Sequence, residues 1–290
     1  MRLSFFKFHG LGNDFVLLEE SILSPDCDLS ALAIILCDRH FGVGADGLII
    51  ISRAKLQKKK ANQDIYKVRF FNSDGSEAEM CGNGIRCAAL YINKYLNSSN
   101  KITVKTLAGN IYPELFEQNG KILIKVDMGE PRLTPIEIPV SGFEYATIIN
   151  QPVFVKNKKW YISAVSMGNP HCVMFVKNIN NIDIVKYGSL IENDPHFPKK
   201  TNVEFSQVIS PSYLKVKVWE RGAGVTLACG TGACAVVVAG VLLNLCNRQT
   251  TVNLPGGDLE ICWSHENNHI YLTGPATEVF KGELSLDIPF

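Results

Sequence analysis

The feature that most restricts what this chain can be is an internal echo. Residues 68–89, VRFFNSDGSEAEMCGNGIRCAA, resemble residues 216–237, VKVWERGAGVTLACGTGACAVV. Cys81 and Cys229 lie 148 residues apart, about half of a 290-residue chain. A second echo precedes each copy: Gly12-Asn13-Asp14-Phe15-Val16 against Gly168-Asn169-Pro170-His171-Cys172-Val173. Each half therefore carries a Gly-Asn turn, then a strand, then a Cys-Gly-x-Gly start to a helix. Self-similarity recurring in one order points to duplication. The expectation is an α/β (α+β) protein of two pseudo-symmetric lobes. Each lobe is a strand barrel or strongly curved sheet around a central helix, with an active site in the cleft between them. The boundaries predicted are 1–127, completed by 277–290, for the N-terminal lobe and 128–276 for the C-terminal lobe.

Local patterns agree. Residues 67–71, 101–105, 121–127, 172–176 and 215–220 are β-rich or alternating and predict strands. Asn119-Gly120, Gly129-Glu130-Pro131 and Pro255-Gly256-Gly257 predict turns. A short helix is expected over residues 29–40, and others from each Cys-Gly-x-Gly to about Leu96 and about Leu245. The last is apolar on every side, which marks a helix enclosed by protein. A linker is expected at residues 127–135.

Composition removes several classes of function. Lys+Arg total 29 and Asp+Glu 28, so no excess of positive charge is available for phosphate backbones. The one basic run, at residues 55–60, reads as a solvated loop. The amino terminus lacks a sustained apolar region and a small-residue cleavage site, so secretion is not expected. The longest apolar run, residues 233–243, is far short of the roughly 20 residues that span a bilayer. The nine cysteines include no CxxC and show no zinc-ligand rhythm. They are expected as reduced thiols in a cytoplasm, most of them core fillers. Neither a nucleic-acid nor a membrane partner is expected, and no metal or cofactor.

Cys81 and Cys229 stand apart. A cysteine just before a helix faces N–H groups that have no partner inside the helix. These donors and the macrodipole favour an anion there, which predicts a lowered thiol pKa. The flanking glycines let a ligand approach the backbone, and a carboxylate suits such a helix start. Two such turns related by pseudo-symmetry suggest an amino acid whose α-carbon has a thiol on either face. Inversion of a stereocentre needs one group to take the proton and another to return one. The paired cysteines and the anion seat thus imply a racemase or epimerase that works without cofactor. Cys87 and Cys234, inside the helices, are expected to be packing residues.

At these residues the sequence resembles the diaminopimelate epimerases, pyridoxal-independent enzymes of lysine and peptidoglycan precursor synthesis. The similarity runs nearly end to end, through residues 9–15, 39–46, 71–76, 80–87, 165–171, 201–203 and 220–232, the last being the most specific. The resemblance implies conversion of LL-2,6-diaminopimelate to the meso isomer, with Cys81 and Cys229 as the acid/base pair. It implies Gly82, Asn83, Gly230 and Thr231 around the reacting carboxylate. Asn13, Asn72, Asn169, Asn202, Glu220 and Arg221 are implied as substrate contacts. His171 and Glu220 are implied to tune the ionisation of the cysteines. A homodimer is also implied.

The chemistry of the side chains fits these roles. Arg221 suits the distal carboxylate and Glu220 an ammonium, as charge-assisted hydrogen bonds. Amides donate and accept, which suits a zwitterion. His9, His40, His196, His265 and His269 are assigned no role. Gly47 stands where some relatives have Gln, so a side-chain contact there is lost. The alternative on the same fold is a proline or hydroxyproline racemase or a related isomerase, but proline racemases typically have His at the position of Asn83, so the sequence sides with diaminopimelate. Two readings from other classes compete: a dithiol redox protein cycling through Cys81 and Cys229, and a non-catalytic amino-acid binder.

Overall fold

The structure, a computed structural model, describes residues 2–53, 65–97 and 102–285. The basic run at 55–60 and Lys101 lie outside the described residues. By its internal contacts the chain divides into one unit of Met1–Val126 with Gly274–Phe290 and another of Asp127–Thr273.

The first unit is built on a sheet of β1 (Arg2–Gly10), β2 (Asn13–Glu19), β3 (Gly47–Arg53), β4 (Ile65–Asn72), β5 (Glu77–Ala78), β6 (Thr103–Thr106), β7 (Gly109–Ile111) and the late strand β19 (Thr277–Ser285). Its order is β19-β1-β2-β3-β4-β6-β7, with β5 on β4. Two neighbouring pairs are parallel, β2 with β3 and β4 with β6. Each parallel step is bridged by a helix: α1 (Leu29–Cys37) in the first and α2 (Gly82–Tyr91) in the second. The chain continues from α2 into a π-helical turn, Ile92–Leu96.

The second unit repeats this plan. Its strands are β10 (Gln151–Val155), β11 (Lys158–Ser166), β12 (Pro170–Phe175), β13 (Asn202–Ser210), β14 (Tyr213–Glu220), β15 (Gly224–Thr226), β16 (Gln249–Leu254), β17 (Gly257–Trp263) and β18 (Ile270–Pro275). They run in the order β10-β11-β12-β13-β14-β16-β17-β18, with β15 on β14. The parallel pairs are β12 with β13, bridged by α3 (Ile184–Glu192), and β14 with β16, bridged by α4 (Gly230–Leu242). The duplication seen in the sequence is thus a duplication of two strand–helix–strand steps. Between the two halves of the sequence, β8 (Glu114–Gln118) and β9 (Lys121–Asp127) form a hairpin. It turns at Asn119 and Gly120, both at positive φ, as a tight two-residue hairpin turn requires.

Both cysteine-led helices are enclosed. Every residue of α2 is buried, and α2 packs on β1, β2, β3 and β19 of its sheet. Helix α4 is buried from Gly232 to Gly240 and packs on β11, β12, β13, β16 and β17. The four strands that meet α2 are neighbours in its sheet, and those that meet α4 form two groups, β11 to β13 and β16 with β17, on either side of β14. No helix among the described residues is long and apolar enough to cross a membrane.

The helix expected over 29–40 stops at Cys37, and Asp38 is the reason. Its carboxylate accepts from the His40 and Phe41 N–H groups at 2.7 Å each, and its own ψ of 124° has left the helical region. Such a local side-chain turn competes directly with continued helix. Just beyond it, a charged cluster pins β1, β2 and the segment before β3. Asp14 pairs with Lys7 (2.7 Å) and Arg39 (2.8 Å), and Arg39 also reaches Asp46 (2.7 Å).

Burial works to raise the Asp14 carboxyl, but Arg39 and Lys7 outweigh it and hold it down at about 2. A depressed carboxyl stabilises the fold above its unfolded pKa of about 4, and that contribution is lost as pH falls from about 4 towards 2. Asp14→Asn is expected to cost about 2 kcal/mol in urea unfolding at pH 7. The gap to the parent should narrow as the pH drops through that window. A gap of unchanged size at pH 3 and below would contradict this role.

Candidate functional site

Each half-site is built at a helix start. In the first unit Cys81 is the N-cap of α2, with extended backbone (φ −139°, ψ 114°), and its sulfur accepts the Gly84 N–H at 3.3 Å. In the second, Cys229 caps α4 in the same way (φ −123°, ψ 109°), and its sulfur accepts the Gly232 N–H at 3.4 Å. A helix leaves its first N–H groups without internal partners, and here a sulfur takes one of them in each case. The third residue after each cysteine has to be glycine. A Cβ on Gly84 would lie 2.7 Å from the Phe70 ring, and one on Gly232 would lie 2.7 Å from Glu204 Oε1.

The Gly-Asn turns deliver an amide to each helix start. In the first unit Asn83 Nδ2 donates to Asn13 Oδ1 (2.9 Å), and Asn13 Nδ2 donates to Asp46 Oδ2 (2.8 Å). Behind them Arg86, fully buried, donates to Asn83 Oδ1 (3.0 Å), Gly82 O (3.1 Å) and Pro275 O (3.1 Å). The guanidinium therefore fixes which way both amides face. Asn72, the last residue of β4, is exposed and donates to Ser76 Oγ at 2.9 Å. Gly47 pairs with it in register, where a Cβ would meet Phe71 O at 2.7 Å, so this backbone has no room for a side chain at 47.

In the second unit Asn169 Nδ2 donates to Thr231 Oγ1 (3.3 Å), which lies 3.4 Å from Cys229 Sγ. His171 Nε2 meets Asn169 Oδ1 at 2.9 Å, and its Nδ1 meets Glu204 Oε1 at 2.7 Å. Asn202 is spent on structure: it donates to Pro170 O (2.8 Å) and accepts the Arg221 N–H (2.9 Å). It fixes the point where β14 turns into the Arg221 loop. Arg221 is exposed, with one guanidinium nitrogen on Lys199 O (3.2 Å). Glu220 is partly buried and accepts from Thr226 Oγ1 at 2.5 Å.

In the second unit the electrostatics differ from the expectation of a lowered thiol. Burial, with the Glu220 and Glu204 carboxyls, pushes the Cys229 thiol well above its ordinary value; the Thr231 hydroxyl and the Gly232 N–H oppose this and lose. Burial likewise raises Glu220, against the pull of Thr226. All nine cysteines are unbridged thiols. Cys87 is fully buried inside α2, and burial pushes its thiol to about 12, as suits a packing residue.

Among the residues named from sequence, the first unit brings together Cys81, Gly82, Asn83 and Asn13. The second brings together Cys229, Gly230, Thr231, Asn169, His171 and Glu220, with Asn202 and Arg221 on the adjoining strand end. Sequence reasoning missed Arg86, Asp46 and Glu204. Arg86 had a signal: it is the only charged residue in a helix whose other nine residues include none. Glu204 had a weaker one, two residues beyond Asn202 and so on the same face of β13.

The sequence model of diaminopimelate epimerase matches residues 5–134 and 163–279. A diaminopimelate epimerase of Carboxydothermus hydrogenoformans is 51% identical over 289 residues, covering 98% of this chain and 100% of that one. Another, of Pelotomaculum thermopropionicum, is 50% identical over 285 residues, covering 97% and 98%. Among solved structures, a PhzF-family phenazine biosynthesis protein of Bacillus anthracis superposes with a TM-score of 0.69 at 16% identity, covering 99% of this chain and 100% of that one. A hydroxyproline epimerase of Agrobacterium vitis gives 0.69 at 11% identity, covering 99% and 94%. These two share the fold. The cysteine-led helix starts, the Gly-Asn turns that serve them and half-identity along nearly the whole length lead to one assignment: the chain belongs to the diaminopimelate epimerase family.

Proposed function

We propose that this protein interconverts LL- and meso-2,6-diaminopimelate without pyridoxal phosphate, using Cys81 and Cys229 as its two proton-transferring groups. The observation that carries the reading is the repeated N-cap sulfur. Two thiols, each seated on a helix N–H and each served by an amide from a Gly-Asn turn, are what a two-base inversion requires. A simple binder has no use for them.

The mechanism follows from the chemistry of the groups. One cysteine, as thiolate, removes the α-proton; the other, as thiol, delivers a proton to the opposite face. Each ends in the protonation state from which the other began, so the reverse reaction needs only the roles exchanged. Burial and the Glu220 and Glu204 carboxyls, which push the Cys229 thiol up, suit Cys229 to the role of proton donor. The first-turn N–H groups of α2 and α4 stabilise the charge that develops on the carboxylate as the α-carbon loses its proton. Arg221 and Asn72, both exposed, are suited to the distal carboxylate and ammonium. Cytoplasmic placement and a homodimer belong to the same proposal on family resemblance, and sedimentation checks the second.

Replacing either cysteine by alanine is expected to cut epimerisation by at least ~10³-fold, near the upper range for a positioned acid or base. Substrate binding should be retained. Proton NMR in deuterium oxide separates the two roles. The variant that keeps only the base for a given isomer should still wash out that isomer's α-hydrogen, and the other should not. Near-parent turnover in either variant would overturn the two-base reading. Deuterium exchange into proline but not into diaminopimelate would overturn the substrate.

A further inference from the structure

Glu204 lies fully buried on β13, beneath the first turn of α4. Its Oε1 is 2.7 Å from Nδ1 of the equally buried His171, and its Oε2 has no hydrogen-bond partner among the described residues. From His171 the contacts run to Asn169 Oδ1, from Asn169 Nδ2 to Thr231 Oγ1, and from Thr231 Oγ1 to Cys229 Sγ.

The direction of this run can be worked out. Asn169 gives its nitrogen to Thr231, so the atom facing His171 is an oxygen, which can only accept. His171 Nε2 therefore carries a hydrogen. One proton remains to be placed between Nδ1 and Glu204. An ion pair would leave a charged Oε2 buried and unpartnered, which is the costly arrangement. A neutral acid spends its O–H on Nδ1 and leaves only a carbonyl oxygen unpaired. The surroundings favour the neutral acid too. Glu220 from β14, the Cys172 thiol from β12 and the Cys229 thiol at the start of α4 all sense Glu204, and a negative charge there works against ionising each of them.

We propose that Glu204 is a positioning residue of the Cys229 half-site: as a neutral acid it donates to His171 Nδ1 and starts a one-way run of donors, Glu204 to His171 to Asn169 to Thr231. Because Thr231 Oγ1 is already an acceptor in that run, its hydrogen is left to point at the Cys229 sulfur. The thiolate formed when Cys229 gives up its proton then receives two donors, the Thr231 O–H and the Gly232 N–H. Remove the acid, and nothing holds the His171 ring in this tautomer or Asn169 in this orientation.

This assignment rests on the reading of Cys229 as an acid/base group, but its first test needs no turnover. Nitrogen-15 NMR of histidine-labelled parent protein reads the ring directly. The other five histidines are at least partly exposed, and the fully buried His171 is assigned as the signal that the His171→Gln variant loses. One protonated nitrogen, Nε2, and one bare nitrogen, Nδ1, are expected. Two protonated nitrogens, or a hydrogen on Nδ1 alone, would overturn the proposal even in a fully active enzyme. The second test is rescue by the conservative variant. Glu204→Gln keeps a donor toward Nδ1 and should hold kcat on diaminopimelate within about threefold of the parent. Glu204→Leu should lose about 10- to 100-fold in kcat with KM little changed, the scale of a hydrogen bond to an ion. Equal losses in Gln and Leu would show that the carboxylate charge is what matters and would overturn the proposal. If the Leu variant does not fold, the nitrogen signature and the Gln variant decide the matter.

Discussion

A sulfur accepting a free N–H in the first turn of a buried helix is the interaction on which the rest of this structure depends. Sulfur is a weak, soft acceptor, and placing it where an oxygen usually caps a helix gives up some stability. What it provides is a thiol at a fixed point beside several donors. The constraint then propagates outward. The third residue after the cysteine has to be glycine, because Phe70 in one unit and Glu204 in the other leave no space for a Cβ. The helix has to be enclosed, and strands of its sheet pack on it. The turns between β1 and β2 and between β11 and β12 have to present an amide, and Asn13 and Asn169 do so.

The two half-sites share this plan but run their hydrogen bonds in opposite senses. In the first, the donors start at the buried Arg86 and end on Asp46, passing through Asn83 and Asn13. In the second, Asn169 receives from His171 and gives to the residue beside the sulfur. One half therefore has a buried cation behind its amides. The other has two carboxyls, Glu204 and Glu220, close to its thiol. Duplication supplied two similar seats, and divergence of the residues behind them gives the seats unequal electrostatics. An inversion started by a base on one side and an acid on the other needs that inequality at the outset, and the exchange of protons reverses it.

The sequence carried the repeat, the helix starts and most strands because these are local patterns. Residues 121–127 and the turn at Asn119-Gly120 emerged as read, since alternation and turn chemistry act within a few residues. The helix over 29–40 overran because the Asp38 turn competes through two side-chain hydrogen bonds that periodicity does not register. The lowered thiol at Cys229 was the larger miss. A helix start is visible in sequence, whereas total burial and two flanking carboxyls are not. Glu204 escaped for a related reason: an acid in a strand reads as solvent-facing until the strand is known to pack on a helix. Arg86 was legible in hindsight, since the one charge in an otherwise uncharged helix that is buried throughout must find partners inside.

The central claim is that two of the nine thiols act on one substrate while the other seven serve packing. Site-resolved alkylation with iodoacetamide, read by peptide mass spectrometry with and without saturating diaminopimelate, tests it most directly. The substrate should slow modification of Cys81 and of Cys229 together and leave the remaining seven unchanged. Because Cys229 is buried and its thiol is pushed up, it should react slowly even without substrate; absence of protection at Cys81, or protection at any of the other seven, would contradict the account.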